Sequence, residues 1–433
     1  MLLIQSSYSR VLDHFNVSTS FSRNFSLLFL SNTLNNIAMF IANIVIASHY
    51  SREVFGLYSI AATVALTTFS ISEFGMNLTM IRLYKLHVEN KERASAVLVC
   101  NLYFKAAALG LLIVAAVFFG KALSQVFAKS PDHGLMLGVA LITGGILGFW
   151  SYAKAFFQTY ERFQQIASLT IGYALVRLLL IGGIVFIPFT FAPELLFAMV
   201  YLVPLLTVLI YGYSIICRTL NFTAVRSVEV FNVLRESLSY SKWVAASGIT
   251  FVLIQQSIIF MAATIGDLKQ VALLNAALVF TSVFSLLNDS WQQVVLPKVA
   301  ALTKDGMTAY RSKVFRFLPW FFLFSILAVV FLSAVMSFML GAQYGESLPI
   351  FWLTSFGAAT TIACGFFSIL MHSIQRPEIS FYVNLVTLVI VVSVGSMLML
   401  KVGLLGMIAW YACSIVTGEL VKAVLIDKHA QRL

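Results

Sequence analysis

The stretch "SREVFGLYSIAATVALTTFSISEFGMNLTMIRL" (residues 51–83) decides the architecture. A short polar turn opens it, an apolar run follows, and a basic residue, Arg82, marks its end. About 20 apolar residues in a helix, rising ~1.5 Å each, cross the ~30 Å hydrocarbon layer of a bilayer. Inside this run stands one carboxylate, Glu73. An ionised side chain at mid-bilayer costs roughly 2.5–3.5 kcal/mol, so Glu73 is expected to face protein or water rather than lipid.

The rest of the chain repeats the pattern. Of 433 residues 60% are hydrophobic and 10% charged, against about 25% charged in soluble domains; mean hydropathy is +0.93. Twelve spans are predicted, at about 24–48, 55–80, 95–119, 134–158, 165–187, 193–217, 242–265, 271–296, 314–340, 348–372, 379–400 and 403–426. The fold class is all-α integral membrane: twelve transmembrane helices in two six-helix bundles around a central cavity. The segments are 1–23 (N-terminal), 24–217 (first bundle), 218–241 (connector), 242–426 (second bundle) and 427–433 (tail). Connections of this size hold no separate catalytic module, so function is expected within the bundle or at its faces.

An even number of spans puts both termini on one side. That side receives 21 of the 28 Lys and Arg residues, including Arg82, Lys154, Arg218, Lys298 and Lys422. The other receives Arg52, Lys121, Lys129, Lys269 and Lys401, while Lys105 and Arg177 lie within spans. By the positive-inside rule both termini are cytoplasmic. The net charge of +11 therefore reads as topology and attraction to membrane lipids, and no nucleic-acid partner is expected. The first 23 residues do not read as a cleaved signal; "MLLIQSSYSRVLDHF" suits either a short interfacial helix or an unstructured lead-in. The four cysteines, scattered through or at the ends of spans, read as apolar side chains rather than metal ligands.

A shift of 216 positions lays the second span over the eighth, Arg82 over Lys298 and Glu73 over Asp289. A six-span shift preserves direction across the membrane, so the halves are expected to be parallel repeats with the cavity between them. Asn32, Asn36 and Asn43 share one helical face of the first span, with Asn35 beside them. The seventh span carries Gln255 and Gln256, and the eighth Asn275, Asn288, Gln292 and Gln293. Amides both donate to and accept from sugar hydroxyls, and they also bond helix to helix. Asn32, Asn36, Asn43, Gln255, Gln256 and Gln292 are the amide candidates for substrate contact.

Lys105 and Arg177 offer positive charge to the first bundle with few acids to cancel it. Two arrangements satisfy Arg177: a fork toward an anion such as a diphosphate, or a structural pair with Glu73. Glu73 and Asp289 are candidates to bind H⁺ or Na⁺ in a coupled cycle, or to brace the bundle. Lys154, near a span end, is expected to reach the headgroups.

The segments "SREVFGLYSIAA" (51–62) and "EFGMNLTMIR" (73–82) resemble the opening signature of bacterial polysaccharide flippases, in the multidrug, oligosaccharidyl-lipid and polysaccharide exporter superfamily. The resemblance extends over nearly the whole chain in span number and length. It implies movement of an undecaprenyl-diphosphate-linked oligosaccharide, such as an O-antigen or capsule repeat unit, across the bacterial inner membrane by alternating access. It also implies a polysaccharide polymerase and a chain-length regulator as partners, a cationic cavity, and no cofactor. Arg177 and Lys105 are assigned to that cavity by depth and charge. The opening motif, with Glu53, Phe55 and Gly56, is expected to be structural. The second half departs from it, with "DLKQVALLN" (267–275) in its place. A multidrug antiporter or another lipid-linked polymer exporter is the near alternative. A membrane glycosyltransferase or polymerase is the distant one, and the chain carries no HExxH, GxSxG or phosphate-cradling loop.

Overall fold

The computed structural model describes residues 19–186, 191–220, 226–299, 304–368 and 377–432, and these contain helices but no strands. The helices are α1 (Thr19–His49), α2 (Arg52–Glu73), α3 (Met76–Leu86), α4 (Lys91–Phe127), α5 (Gly134–Thr159), α6 (Phe163–Phe186) and α7 (Pro193–Thr219) in the first half. The second half has α8 (Ser227–Ile265), α9 (Leu268–Val299), α10 (Lys304–Leu340), α11 (Ser347–Ser368), α12 (Pro377–Lys401) and α13 (Leu404–Arg432). Twelve stretches among them are long and apolar enough to cross a membrane, with α2 and α3 forming one. The N-terminal lead-in "MLLIQSSYSRVLDHF" lies outside the described residues.

Helix starts follow local chemistry. The Ser51 hydroxyl accepts from the Val54 N–H to begin α2, and the Asn90 side chain accepts from the Arg93 N–H to begin α4. Pro193 opens α7, where its missing N–H has no helical partner to lose. The connector is not a loose link: from Ser227 onward it is already helical and runs without a break into the seventh span. The connector's Glu229 and Glu236 pair with Arg93, holding this part of α8 to the first lobe.

The two halves pack alike. In the first, α1 lies on α6, α2 on α5, α4 on α5, and α7 on both α5 and α6. In the second, α8 lies on α12, α9 on α11, α10 on α11, and α13 on both α11 and α12. Each pair maps onto its counterpart under a six-span shift, so the repeat read at 216 positions is a repeat of packing.

The repeat fails at the second span, as it also does at the π turn Ala198–Leu202 of α7, which has no counterpart in the continuous helix α13. Phe74 and Gly75 both take the left-handed backbone conformation, with φ 49° and 67°, and split the second span into α2 and α3. α9 is helical throughout, including at Asp289. Glu73 is thus the last residue of α2 rather than a mid-helix acid. Its two carboxylate oxygens accept from the N–H groups of Gly75 (2.8 Å) and Asn77 (3.0 Å). A helix N-terminus leaves orphan N–H donors and a partial positive charge, and a carboxylate satisfies both.

Core packing joins the lobes at one face and separates them at the other. One continuous cluster includes Phe55, Tyr58 and Phe197 of the first lobe with Phe280, Tyr344 and Phe351 of the second. Toward the face where α1 begins and α13 ends (the terminal face) there are two clusters instead. Leu98, Phe156 and Leu205 belong to one, and Phe284, Phe321 and Phe366 to the other.

Candidate functional site

A cavity of about 510 Å³ lies between the lobes, on the terminal-face side of the shared core. Its walls come from α1, α2 and α7 of the first lobe and α8, α9, α11, α12 and α13 of the second. Amides (Asn36, Asn43, Gln255, Gln256, Asn275, Asn384) and hydroxyls such as Ser59, Thr63 and Thr281 alternate with aromatic rings, among them Phe40, Phe251 and Tyr411. No hydrogen bond within the described residues engages the side-chain amides of Asn36, Gln255, Gln256 or Asn275. Asn43 differs, because its amide donates to the Met39 carbonyl of its own helix at 2.9 Å. The cavity therefore presents free donors and acceptors beside flat apolar surfaces. That combination suits a polyhydroxylated ring, whose hydroxyls need both kinds of partner and whose C–H faces prefer apolar cover.

Of the amides read from sequence, Asn36, Asn43, Gln255, Gln256 and Asn275 line this cavity, and Asn32 and Asn35 do not. Gln292 and Asp289 lie on α9, with side chains outside the described residues. Asn384 and the hydroxyls of α11 and α12 complete the wall. The hydroxyls escaped the sequence reading because Ser and Thr in an apolar helix commonly bond their own i−4 carbonyl, and the pattern carries no mark of those that face a lumen.

The expectation that Lys105 and Arg177 open into the cavity is not met in this conformation. Arg177 is 2% exposed. Its Nε donates to the Val200 carbonyl at 2.9 Å, inside the π turn Ala198–Leu202, and Nη1 donates to Asn35 Oδ1 at 3.2 Å. Its guanidinium also lies 4.2 Å from the Tyr173 ring centroid. Two acceptors and a ring face hold two of its five donors, and among the described residues no carboxylate, Glu73 included, pairs with Arg177. Lys105, 1% exposed, donates through Nζ to the Glu73 backbone carbonyl at 3.1 Å. That carbonyl sits where the helix breaks and lacks its usual i+4 partner, which explains why a cation was recruited there. Nearby, Asn101 donates to Asn77, which donates to Ser151, at 2.9 and 2.7 Å. Lys154 is half-buried, its Nζ 5.4 Å from the Trp150 ring centroid.

The charged groups lining the cavity, among the described residues, are Glu419 and Lys422 on α13. They bond each other at 2.5 Å. Counting Lys422 among the basic residues of the terminal face concealed this, since charge bias records the side of a residue and not its direction. No group of three or more His, Cys, Asp or Glu side chains suited to a metal occurs among the described residues.

The opening motif lies at the seam between the lobes, on the face opposite the termini. Glu53 pairs with Lys269 at 3.2 Å, Arg52 donates to the Gln343 carbonyl, and Lys129 donates to the Gly266 carbonyl. Phe55 meets the edge of Tyr344 with ring centroids 6.2 Å apart. At Gly56 the backbones of α2 and α9 come so close that a Cβ would sit 2.9 Å from the Leu268 carbonyl carbon and 3.2 Å from its Cα. The expected structural role thus takes a definite form: the motif closes one face of the molecule.

Comparisons with known proteins agree with this architecture. A family model described as polysaccharide biosynthesis protein matches residues 21–303. No curated protein matches the sequence. Among solved structures, the lipid II flippase MurJ in an inward closed conformation superposes with a TM-score of 0.70 at 14% identity, covering 94% of this chain and 89% of that one. A multidrug resistance MATE family transporter of the MOP superfamily, inward-facing, gives 0.67 at 14% identity over 92% and 95%. The Vibrio cholerae MATE transporter VcmN in its bent form gives 0.59 at 12% identity over 96% and 99%. At these identities the likeness is one of fold: a two-lobed bundle of twelve helices.

Proposed function

Because the chain belongs to the polysaccharide biosynthesis protein family, we propose that it flips an undecaprenyl-diphosphate-linked oligosaccharide from the cytoplasmic to the outer leaflet of a bacterial inner membrane. The observation that carries this reading is the cavity wall: unengaged amides beside aromatic rings, between two lobes that share a core at one face only. The glycan enters from the terminal face, taken as cytoplasmic from the basic bias, while the lipid tail stays in the bilayer. The lobes then rock, the seam at Glu53, Gly56 and Leu268 parts, and the headgroup leaves on the other side. With the cell interior negative, each exported negative charge gains roughly 2.3 kcal/mol per 100 mV.

Asn36, Gln255 and Gln256 contact the sugar in this scheme, and Asn43 completes the wall. Glu73 is read as the cap of a helix break rather than an ion-coupling group, because both its oxygens already accept backbone N–H donors. Lys105 and Arg177 hold the first lobe together and leave the headgroup's charge to other residues. O-antigen and capsule repeat units are the expected cargo, with a polymerase and a chain-length regulator acting after it. Export of a cationic drug fits less well, because the acid on the cavity wall already has a cation bonded to it.

The decisive experiment places purified protein in vesicles with a fluorescent lipid-diphosphate oligosaccharide on one leaflet and follows its appearance on the other. Translocation with the glycan unchanged supports a flippase; covalent alteration of the glycan, or no movement, overturns it. In the same assay Asn36→Ala with Gln255→Ala is expected to lower transport about tenfold, since two buried-site hydrogen bonds contribute ~0.5–1.5 kcal/mol each. The melting temperature should hardly change, because neither amide holds another helix.

A further inference from the structure

Glu419 and Lys422 are 9% and 7% exposed, lie one turn apart on α13, and face the cavity. Their spacing of three residues is that of a surface ion pair, yet they sit on the wall of an internal chamber. A buried ion pair adds little net stability, because desolvation offsets most of the attraction. Lys422 Nζ carries three donors. One goes to Glu419, and the Phe251 ring centroid lies 5.9 Å away. Directly beside the pair, Gly418 lets α13 approach α12 so closely that a Cβ there would be 2.6 Å from Thr387 Oγ1. Asn384 and Thr387, three residues apart on α12, line the same cavity. Thr361, also on the wall, has a hydroxyl oxygen with no partner among the described residues. The pair thus sits amid polar groups on a surface open to a ligand, and toward the terminal face, where α13 ends.

We propose that Lys422 is the docking point for the diphosphate of the lipid-linked substrate, and that Glu419 is its competitor in the empty protein. This rests on the flippase reading and adds a residue-level site to it. Among the described residues the charges on the chamber wall balance, because the carboxylate occupies the ammonium. An arriving diphosphate, with more charge and more acceptor oxygens, takes Lys422 from Glu419 and finds donors in the Thr361 hydroxyl and in the second N–H of Asn384, whose first donates to the Ser247 carbonyl, while the Thr387 hydroxyl stays bonded to the Val383 carbonyl. A monoanion or a neutral alcohol cannot displace the carboxylate as well. Glu419 therefore sets a threshold of charge for occupancy, and its removal should raise affinity for the anion.

That sign separates the idea from a structural ion pair. The full chain in nanodiscs is titrated with farnesyl diphosphate, with farnesol and inorganic pyrophosphate as comparison arms. Lys422→Gln should weaken farnesyl diphosphate binding about tenfold, and Lys422→Arg should retain most of it. Glu419→Gln should tighten it several-fold, with farnesol unaffected throughout. The double substitution, a neutral pair of similar volume, keeps the measurement interpretable should one charge alone prove unstable; it should bind as weakly as Lys422→Gln. Equal response to pyrophosphate assigns the site to the diphosphate group alone, and preference for the farnesyl compound assigns it to the lipid-linked form; both support the site. Weaker binding in Glu419→Gln, or no change in Lys422→Gln, overturns it. Transport separates the two readings: a wild-type protein that flips substrate while Lys422→Gln flips equally well removes this site and leaves the flippase. A wild-type protein that shows the binding pattern but moves no lipid leaves the site and removes the flippase.

Discussion

Gly56→Ala should give a folded, membrane-inserted protein that transports at no more than about a tenth of the wild-type rate, because its lobes no longer close on the face opposite the termini. The added methyl would meet the Leu268 carbonyl group, and backbone cannot swing aside as a long side chain can. Overpacking of this kind costs typically ~1–3 kcal/mol, and about 1.4 kcal/mol already moves a two-state population tenfold. The contact lies between lobes, so each lobe's own packing is untouched and folding should survive. Spin labels placed at Ser51 and Gln343, across the seam, report the outcome: the short-distance population present in the parent should shrink in Gly56→Ala. Normal transport with an unchanged distance distribution would sink the assignment of this motif as a closing contact. Disrupting Glu53 and Lys269 should do far less, since both are about half exposed and such pairs contribute ~0–1 kcal/mol.

Lys105→Met should lower the stability of the first lobe by about 1.5–3 kcal/mol, the range for a hydrogen bond to a charged group. The lysine is fully covered and holds the carbonyl of Glu73 at the point where the second span breaks. Without it that carbonyl loses its Nζ–H donor, and the negative Glu73 loses a buried cation bonded to its own backbone. Glu73→Gln removes one capping acceptor and leaves Lys105 charged beside a neutral group, so it too should destabilise. The combined variant should be less damaged than the sum of the two, because neither is then left as an uncompensated charge. Thermal unfolding of the four proteins in one detergent measures this directly. Strict additivity would show that the two side chains do not act as a unit. If Glu73 served ion coupling instead, Glu73→Gln would leave the melting temperature intact while abolishing transport.

These two sites also mark where linear reading succeeded and where it stopped. The spans, their number and the repeat were legible because a bilayer imposes length and apolarity on every crossing helix, whatever it packs against. The second span was expected from about residue 55, three residues after the observed start of α2 at Arg52, and the bounds expected for the fourth and sixth spans lie within two residues of those of helices α5 and α7. Glu73 was visible as an anomaly, but its explanation was not. Two left-handed residues turn a mid-span acid into a helix cap, and only the Gly at 75 hinted at a break. Asn36, Gln255 and Gln256 were found because amides in an oily helix need a reason. Lys422 was missed because it lies near a span end, where snorkelling is the ordinary account.

The sequence by itself therefore determined a twelve-span membrane protein, its two-fold repeat and the helical faces that carry amides, since these depend on residue type and spacing along a single helix. Tertiary structure alone decided which charges see the cavity. Arg177 is turned toward a π turn and Asn35, Lys105 toward a broken helix, and Glu419 with Lys422 toward the chamber. The physical reason is that a buried charge takes whichever acceptor or partner lies nearest in three dimensions, and that choice is made by neighbouring helices distant in the chain.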